Sequence, residues 1–333
     1  MADDYLWDPA AEPDAEVARL EALLRPAAYA PVPLRAMEVP PVSRGRRARW
    51  RLLAAATLVA AAGITLARRE GATPWAIDAE RGAPVVHTAT GAVSAGRLTR
   101  GGVVETDARS TATLTVGRIG SARLEPGSRL RLVGDGASEH RLQLERGTIH
   151  ASIDAPPRYF LVQTASALAV DLGCEYTLTT DERGNGTLTV EEGEVELQQG
   201  TVRTAVLAGN SAGLRAGRGP GLPFPVTASQ ALRRAVDAYD IAPADPAALV
   251  ALLTATDARS TITLWHLLQR VAPAERERVF LRLASIVPPP ASVTRERVMR
   301  GESGALQRWR TDLEPSWITE PPAWRRAWLA VRR

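Results

Sequence analysis

The sequence predicts a multidomain chain: a single transmembrane helix, a central all-β sandwich or roll, and an all-α C-terminal domain. Three observations carry that prediction. Residues 52–67, LLAAATLVAAAGITLA, form an uncharged apolar run with arginines crowded at both ends. Residues 83–217 contain short runs of alternating apolar and polar residues separated by glycine turns. Residues 229–333 return to helical spacing, with prolines at first-turn positions.

The N-terminal segment, 1–28, holds one helical signal. Pro13-Asp14 opens a run in which Val17, Leu20, Leu23 and Leu24 share a face, and the aromatic cluster Tyr5-Leu6-Trp7 precedes it in an acidic leader. A helix of about a dozen residues with no second element cannot bury its stripe alone, so it gains order by docking on a partner. Tyr5, Leu6, Trp7, Val17, Leu20 and Leu24 are therefore the candidate partner-binding residues, the competing reading being a disordered tail. Residues 29–51 form a Pro- and Arg-rich juxtamembrane linker, extended in its proline-rich part.

As a helix, the run 52–67 rises roughly 24 Å, short of the hydrocarbon thickness of about 30 Å, and Trp50 with snorkelling arginines supplies the remainder. Arg44, Arg46, Arg47, Arg49 and Arg51 precede it, whereas only Arg68 and Arg69 follow directly. The positive-inside rule then places the N-terminus in the cytoplasm and the bulk of the chain across the inner membrane. A cleaved leader ending at Thr65-Leu66-Ala67 competes with this, but the arginines after that site and the patterned segment before the run favour an uncleaved anchor.

Strands are expected at Ala112–Val116, Arg129–Leu132, Arg141–Leu144, Phe160–Val162, Thr187–Val190 and Glu194–Leu197, each alternating apolar and polar residues. A small repeat accompanies them. Leu124-Glu125-Pro126-Gly127, Leu144-Glu145-Arg146-Gly147 and Val190-Glu191-Glu192-Gly193 each end a strand in a glycine, and Val206-Leu207-Ala208-Gly209 is a weaker copy. The repeat reads as a stacked structural corner rather than a binding loop. Gly184-Asn185-Gly186 is a further hairpin signal.

The order GGVVET (101–106), LEPGSRLRL (124–132), LERGTIHAS (144–152), FLVQT (160–164), VDLGCEYTL (170–178), VEEGEVEL (190–197) and VLAGNSA (206–212) resembles the FecR family of bacterial envelope regulators. The resemblance implies a periplasmic β domain behind one membrane helix, and a relay from an outside signal to an extracytoplasmic-function sigma factor in an anti-sigma or sigma-regulator role. The chain also departs from that pattern. Its N-terminal segment lacks the longer helical sigma-binding region and any zinc-type His and Cys spacing. Its last third looks helical where family members often end in a small α/β module that meets an outer-membrane transporter, so no periplasmic or outer-membrane signal protein is named. Cys174 sits where small or hydroxyl residues are common, and reads as a buried small hydrophobe.

In the C-terminal domain, helices are expected at Ala231–Tyr239, Pro246–Leu253, Thr261–Val271, Pro273–Val287 and Pro322–Val331. Trp265, Trp309, Trp317, Trp324 and Trp328 concentrate here, read first as core packing and second as a docking surface.

No catalytic, cofactor or metal site emerges. Gly209-Asn210-Ser211-Ala212-Gly213 matches the G-x-S-x-G nucleophile pattern, but the Gly- and Pro-rich sequence after it offers no helix for the elbow. His87, His140, His150 and His266 are scattered and Cys174 is single, leaving no metal-ligand spacing and no internal disulfide. Asp171 and Glu175 flank Cys174, and alternation puts both on one face, with no base or electrophile beside them. All 41 basic residues are arginine, yet the net charge is only +4 and no basic face with aromatic interleaving marks a nucleic-acid module. The resulting expectation is a non-enzymatic, single-pass signal-transducing regulator. The alternative is an envelope scaffold or glycan-binding module without a sigma partner. The topology is tested by reporter fusions: a phosphatase active only in the periplasm should be active when fused after Ala95 and silent when fused near Pro41, and the reverse pattern overturns the assignment.

Overall fold

The computed structural model describes residues 75–88, 91–93, 96–136 and 138–318, all within one compact unit, Ala62–Arg333. The candidate partner-binding residues, the apolar run 52–67 and the expected helix Pro322–Val331 lie outside the described residues. Among the described residues no helix is long and apolar enough to cross a membrane.

The first half of the β region comprises β1 (Trp75–Arg81), β2 (Val85–Thr88), β3 (Gly91–Val93), β4 (Gly96–Leu98), β5 (Val103–Glu105), β6 (Thr111–Thr115), β7 (Gly120–Leu124) and β8 (Arg129–Gly136). The second half comprises β9 (Glu139–Ile153), β10 (Phe160–Gln163), β11 (Leu168–Asp171), β12 (Glu175–Thr180), β13 (Gly186–Glu192), β14 (Glu194–Gln199), β15 (Val202–Leu207), β16 (Asn210–Arg215) and β17 (Gly219–Pro225). Every strand expected from alternation is present, within a residue or two of its predicted bounds except that β8 runs four residues past Leu132 and β9 runs on through the repeat.

These strands form two facing sheets. One runs β4-β1-β6-β7-β9-β12-β13-β16-β17. The other runs β3-β2-β5-β8-β9-β10-β11-β14-β15, antiparallel except where β10 lies parallel to β9. Strand β9 belongs to both and joins them into one continuous ladder. Its first half pairs with β8 and its second half with β7 and β12. The inner faces share one apolar core, in which Leu114, Leu124, Ile149, Leu178 and Leu188 of the first sheet meet Leu130, Leu132, Leu142, Leu144 and Phe160 of the second.

The glycine repeat marks where the chain changes sheets. At Gly127 it passes from β7 to β8, at Gly193 from β13 to β14, and at Gly209 from β15 to β16, each a move from one sheet to the other. Gly147 differs from the expectation, because it ends no strand: β9 continues through it while switching sheets. The buried positions of β9 are 142 and 144 before the corner and 149, 151 and 153 after it, a change of parity. The pairing with β8 slips at Glu145, where Arg129 faces Arg146 and Leu130 faces Leu144, and this one-residue bulge turns the inward face.

The corners stack as the sequence suggested. A Cβ on Gly147 would lie 2.3 Å from the Cα of Ser128, and Gly147 has φ +94°. Ser128, fully buried, fastens the stack: its hydroxyl accepts the Thr148 N–H at 2.9 Å and donates to the Thr148 carbonyl at 3.1 Å. Its own N–H donates to the hydroxyl of Thr106 at 2.9 Å, tying in the neighbouring corner. Gly193, with φ +80°, lies equally close to the Gly173–Cys174 corner, where a Cβ would fall 2.2 Å from the Gly173 carbonyl oxygen. The Gly184-Asn185-Gly186 signal does fall in a hairpin, but the turn is set by Asp181, whose carboxylate accepts the N–H groups of Arg183 and Asn185.

After β17 come α1 (Gln230–Ile241), α2 (Pro246–Ala255), α3 (Thr261–Arg270), α4 (Pro273–Ile286), α5 (Arg295–Met299) and α6 (Ser303–Leu313). Ser229 caps α1 and Asp245 caps α2, while Pro246 and Pro273 occupy first-turn positions. Helices α5 and α6 were not expected. Helix α6 is mostly polar and buries only Ala305, Trp309 and Leu313, a single narrow stripe. Trp309 and Trp317 are buried in the helical core with Leu252, Leu264 and Leu283, which decides between the two readings of the tryptophans in favour of packing at these positions. Leu207 and Leu222 of the β region belong to the same core, so the helices are built onto the β15–β17 end of the sheets.

The corner geometry separates two costs that glycine avoids. Gly147→Ala and Gly193→Ala should each destabilise the protein by about 3 kcal/mol or more, from positive φ plus backbone overlap. Gly127→Ala should cost only about 1 to 2 kcal/mol, since Gly127 has φ +74° and open space around it. Equal losses in all three by chemical unfolding would overturn this assignment.

Candidate functional site

The sequence-derived candidates in the β domain are separated by the structure. Ser211 lies inside β16, paired with β13 and β17, and its hydroxyl bonds Thr189 at 2.7 Å. The strand-turn-helix elbow that a G-x-S-x-G nucleophile requires is not formed there. The expectation that Asp171 and Glu175 share a face is also corrected. Asp171 ends β11 in one sheet and is 2% exposed, whereas Glu175 begins β12 in the other and faces solvent. The corner at Gly173–Cys174 between them changes sheets, so simple alternation does not carry across it. Among the described residues no group of His, Cys, Asp and Glu side chains is placed to hold a metal ion.

The corner does gather buried polar groups. Asp171 Oδ1 accepts the Gly173 N–H at 2.6 Å, while Oδ2 has no hydrogen-bond partner. Burial, opposed by that N–H, pushes the Asp171 carboxyl up to about 6. The Cys174 thiol, buried as expected, donates to the Glu194 carbonyl at 3.2 Å, and burial with the nearby Asp171 charge raises it far above the usual thiol range. Tyr176, fully enclosed and with its hydroxyl unpartnered, is likewise raised by burial. Burial and the bond to a backbone carbonyl give this thiol a structural setting.

The second polar centre lies where the helices meet the β domain. His266, on α3, is buried, and its Nε2 accepts the Ala205 N–H of β15 at 3.1 Å while its Nδ1 donates to the Ile262 carbonyl at 3.0 Å. The two bonds fix a neutral tautomer, and burial pushes the imidazole down to about 3. One turn on, Arg270 donates to the Pro220 carbonyl at 3.1 Å and to the Thr204 hydroxyl. Asp240, on α1, accepts the Leu222 N–H at 3.0 Å, and burial raises its carboxyl to about 6. A solvent-connected cleft of about 820 Å³ opens beside these groups, between the β14–β17 end of the sheets and α1, α3 and α6. Its residues were not singled out as a site from the sequence. The available signal was the i, i+4 pairs Trp265/Gln269 and His266/Arg270, which mark a polar helix face without showing what lies opposite.

With this geometry in place, the comparisons locate the β domain. Residues 102–196 match the family described as FecR protein, so the chain carries a FecR domain spanning β5 to β14. No curated protein matches the chain. Two crystal structures of a protein from Parabacteroides distasonis ATCC 8503, described as a "putative anti-sigma factor", are similar at 16% and 15% identity with TM-scores of 0.33 and 0.34. The similarity covers 37% and 41% of this chain and 59% and 63% of those chains, less than two thirds of their length.

The buried Asp171 predicts a pH dependence. Its carboxyl titrates near 6 in the folded protein and near 4 when unfolded, so the folded state holds the extra proton between those values. The contribution of this group to stability should therefore fall as pH rises from about 4 through about 6, by up to about 3 kcal/mol, against the opposite slope that His266, held neutral down to about 3, adds over the same range. Asp240 adds a second contribution of the same sign. Asp171→Asn should shift the slope of stability against pH in the positive direction, leaving stability similar at pH 4 and raising it by roughly 1 to 3 kcal/mol at pH 7.5. Urea unfolding of wild type and variant at both pH values checks this; an unchanged slope overturns it.

Proposed function

We propose that this chain is a single-pass inner-membrane regulator of the FecR type, which relays a periplasmic signal to a cytoplasmic extracytoplasmic-function sigma factor in an anti-sigma role. The carrying observation is the FecR domain at residues 102–196. Support for the membrane arrangement comes from sequence: the apolar run 52–67, with five arginines on its N-terminal flank and two on the other. Under this reading the β and helical domains are exported and residues 1–28 are the output.

The cytoplasmic contact is assigned to Tyr5, Leu6, Trp7, Val17, Leu20 and Leu24, an aromatic cluster beside an amphipathic stripe that gains order by docking. A non-catalytic role is favoured at Ser211, whose hydroxyl is engaged by Thr189 within a strand pair, and at Asp171 and Glu175, which part to opposite sheets.

A segment of residues 1–42 should capture a sigma factor from cytoplasmic extract, identified by mass spectrometry. Trp7→Ala should weaken the complex by about 2 kcal/mol, roughly thirtyfold, and adding Leu20→Asp should abolish capture. If residues 1–42 retain no sigma factor and their deletion leaves transcription unchanged, the regulatory reading fails and an envelope scaffold or glycan-binding module becomes the better account.

A further inference from the structure

The cleft between the β domain and the helices is lined by five arginines: Arg203 on β15, Arg215 at the end of β16, Arg218 in the β16–β17 turn, Arg270 on α3 and Arg310 on α6. Three of them are already neutralised. Arg203 pairs with Glu196 at 3.2 Å, Arg215 with Asp237, and Arg310 with Glu314 at 3.2 Å and Glu194 at 3.5 Å. The other two have no carboxylate within ion-pair distance among the described residues. Arg218 is exposed at the mouth, and only its backbone N–H is engaged, donating to the Arg215 carbonyl. Arg270 is half-buried against the wall and donates its hydrogen bonds to neutral acceptors, the Pro220 carbonyl and the Thr204 hydroxyl, with the Asp240 carboxylate acting on it only at longer range.

Two further donors in the lining have no acceptor. Trp265, 7% exposed, has an indole N–H without a hydrogen-bond partner, and the Nε of Arg215 is also unpartnered. A buried donor left without an acceptor is costly, on the order of 1 to 3 kcal/mol, and is more readily understood where an acceptor arrives from outside. The acidic groups in the lining do not supply one: Glu196 is engaged by Arg203 and Asp240 by the Leu222 N–H. Two guanidinium groups outside any ion pair, Arg218 and Arg270, and two side chains that each carry an unpartnered N–H thus line a space of about 820 Å³, which suits a small molecule.

We propose that this cleft binds a small anionic ligand through a carboxylate or phosphate group, held by Arg218 and Arg270 with the Trp265 indole N–H. The ligand's remaining body rests against Tyr239 and Pro243 at the α1 wall. Arg310 lies 5.9 Å from the Trp265 ring centroid and 6.0 Å from that of Trp317, which orients the indole rather than adding a free charge. The inference stands apart from the sigma-factor reading, because it concerns only the described domains and needs no cytoplasmic partner.

The test is isothermal titration calorimetry on the full-length protein in detergent micelles, with inorganic phosphate and citrate as separate probes and sodium chloride of matched ionic strength as the control. Saturable binding of either probe above the chloride control is expected, citrate alone assigning a carboxylate ligand and phosphate alone a phosphorylated one. Arg218→Glu should weaken it about tenfold or more, and Gln307→Glu, which adds a negative charge to the α6 wall, should weaken it in the same direction. Neither substitution removes an ion pair or a buried apolar group, and unchanged thermal unfolding without ligand confirms that the variants fold. Absence of saturable binding by both probes, or binding that both folded variants retain undiminished, overturns the proposal. Neither result bears on capture of a sigma factor by residues 1–42, so the two readings fail separately.

Discussion

A strand that leaves one sheet of a sandwich and enters the facing one must turn its inward side chains toward the same core from the opposite direction. Most of this β domain depends on meeting that constraint. Strand β9 does so in the middle of its length. The bulge at Glu145 shifts the buried positions from even to odd, and Gly147 lets the corner close onto Ser128 with no side chain between the backbones. Hydrogen bonds from Ser128 to Thr148 and Thr106 then satisfy polar groups that burial at a corner would otherwise strand. Because β9 pairs in both sheets, the position of this corner sets the register of the strands on either side.

The same solution recurs where Gly193 packs on the Gly173–Cys174 corner, and there it leaves a residue of unfinished polar chemistry. Asp171 keeps one carboxylate oxygen without a partner and Tyr176 keeps a bare hydroxyl, both inside the FecR domain. Cys174 suits this place as a small side chain whose thiol donates to the Glu194 carbonyl across the stacked corner. The cost of burying Asp171 appears as its raised carboxyl rather than as an ion pair, which makes the corner sensitive to pH, as burial also makes Asp240 and His266.

Attachment of the helices follows a different logic. Leu207 and Leu222 provide an apolar platform, and His266 binds the backbone of β15, so that α3 is fixed by direction as well as by burial. A neutral, doubly bonded imidazole is well suited to this because it supplies one donor and one acceptor without an ionic charge. The cleft is a consequence of the docking: α1 and α3 pack against β17, α6 packs on α3 and on Phe280 of α4, and the polar residues beside these contacts are left to line the gap.

The sequence by itself determined the kind of most elements it marked. Alternation located the strands, Pro246 and Pro273 located helix starts, and the Leu-Glu-x-Gly repeat located the corners, because each of these is a local backbone preference written in a few neighbouring residues. Helix α6 escaped because its buried stripe is only Ala305, Trp309 and Leu313. Only the tertiary structure decided that Gly147 bends a continuous strand, that Asp171 and Glu175 part to opposite sheets, and that Arg218, Arg270 and Trp265 face one cleft. Those facts depend on which strand lies beside which. Such pairings, like β15 with His266 some sixty residues on, are settled by closing one shared core and satisfying its polar groups, which no local pattern encodes.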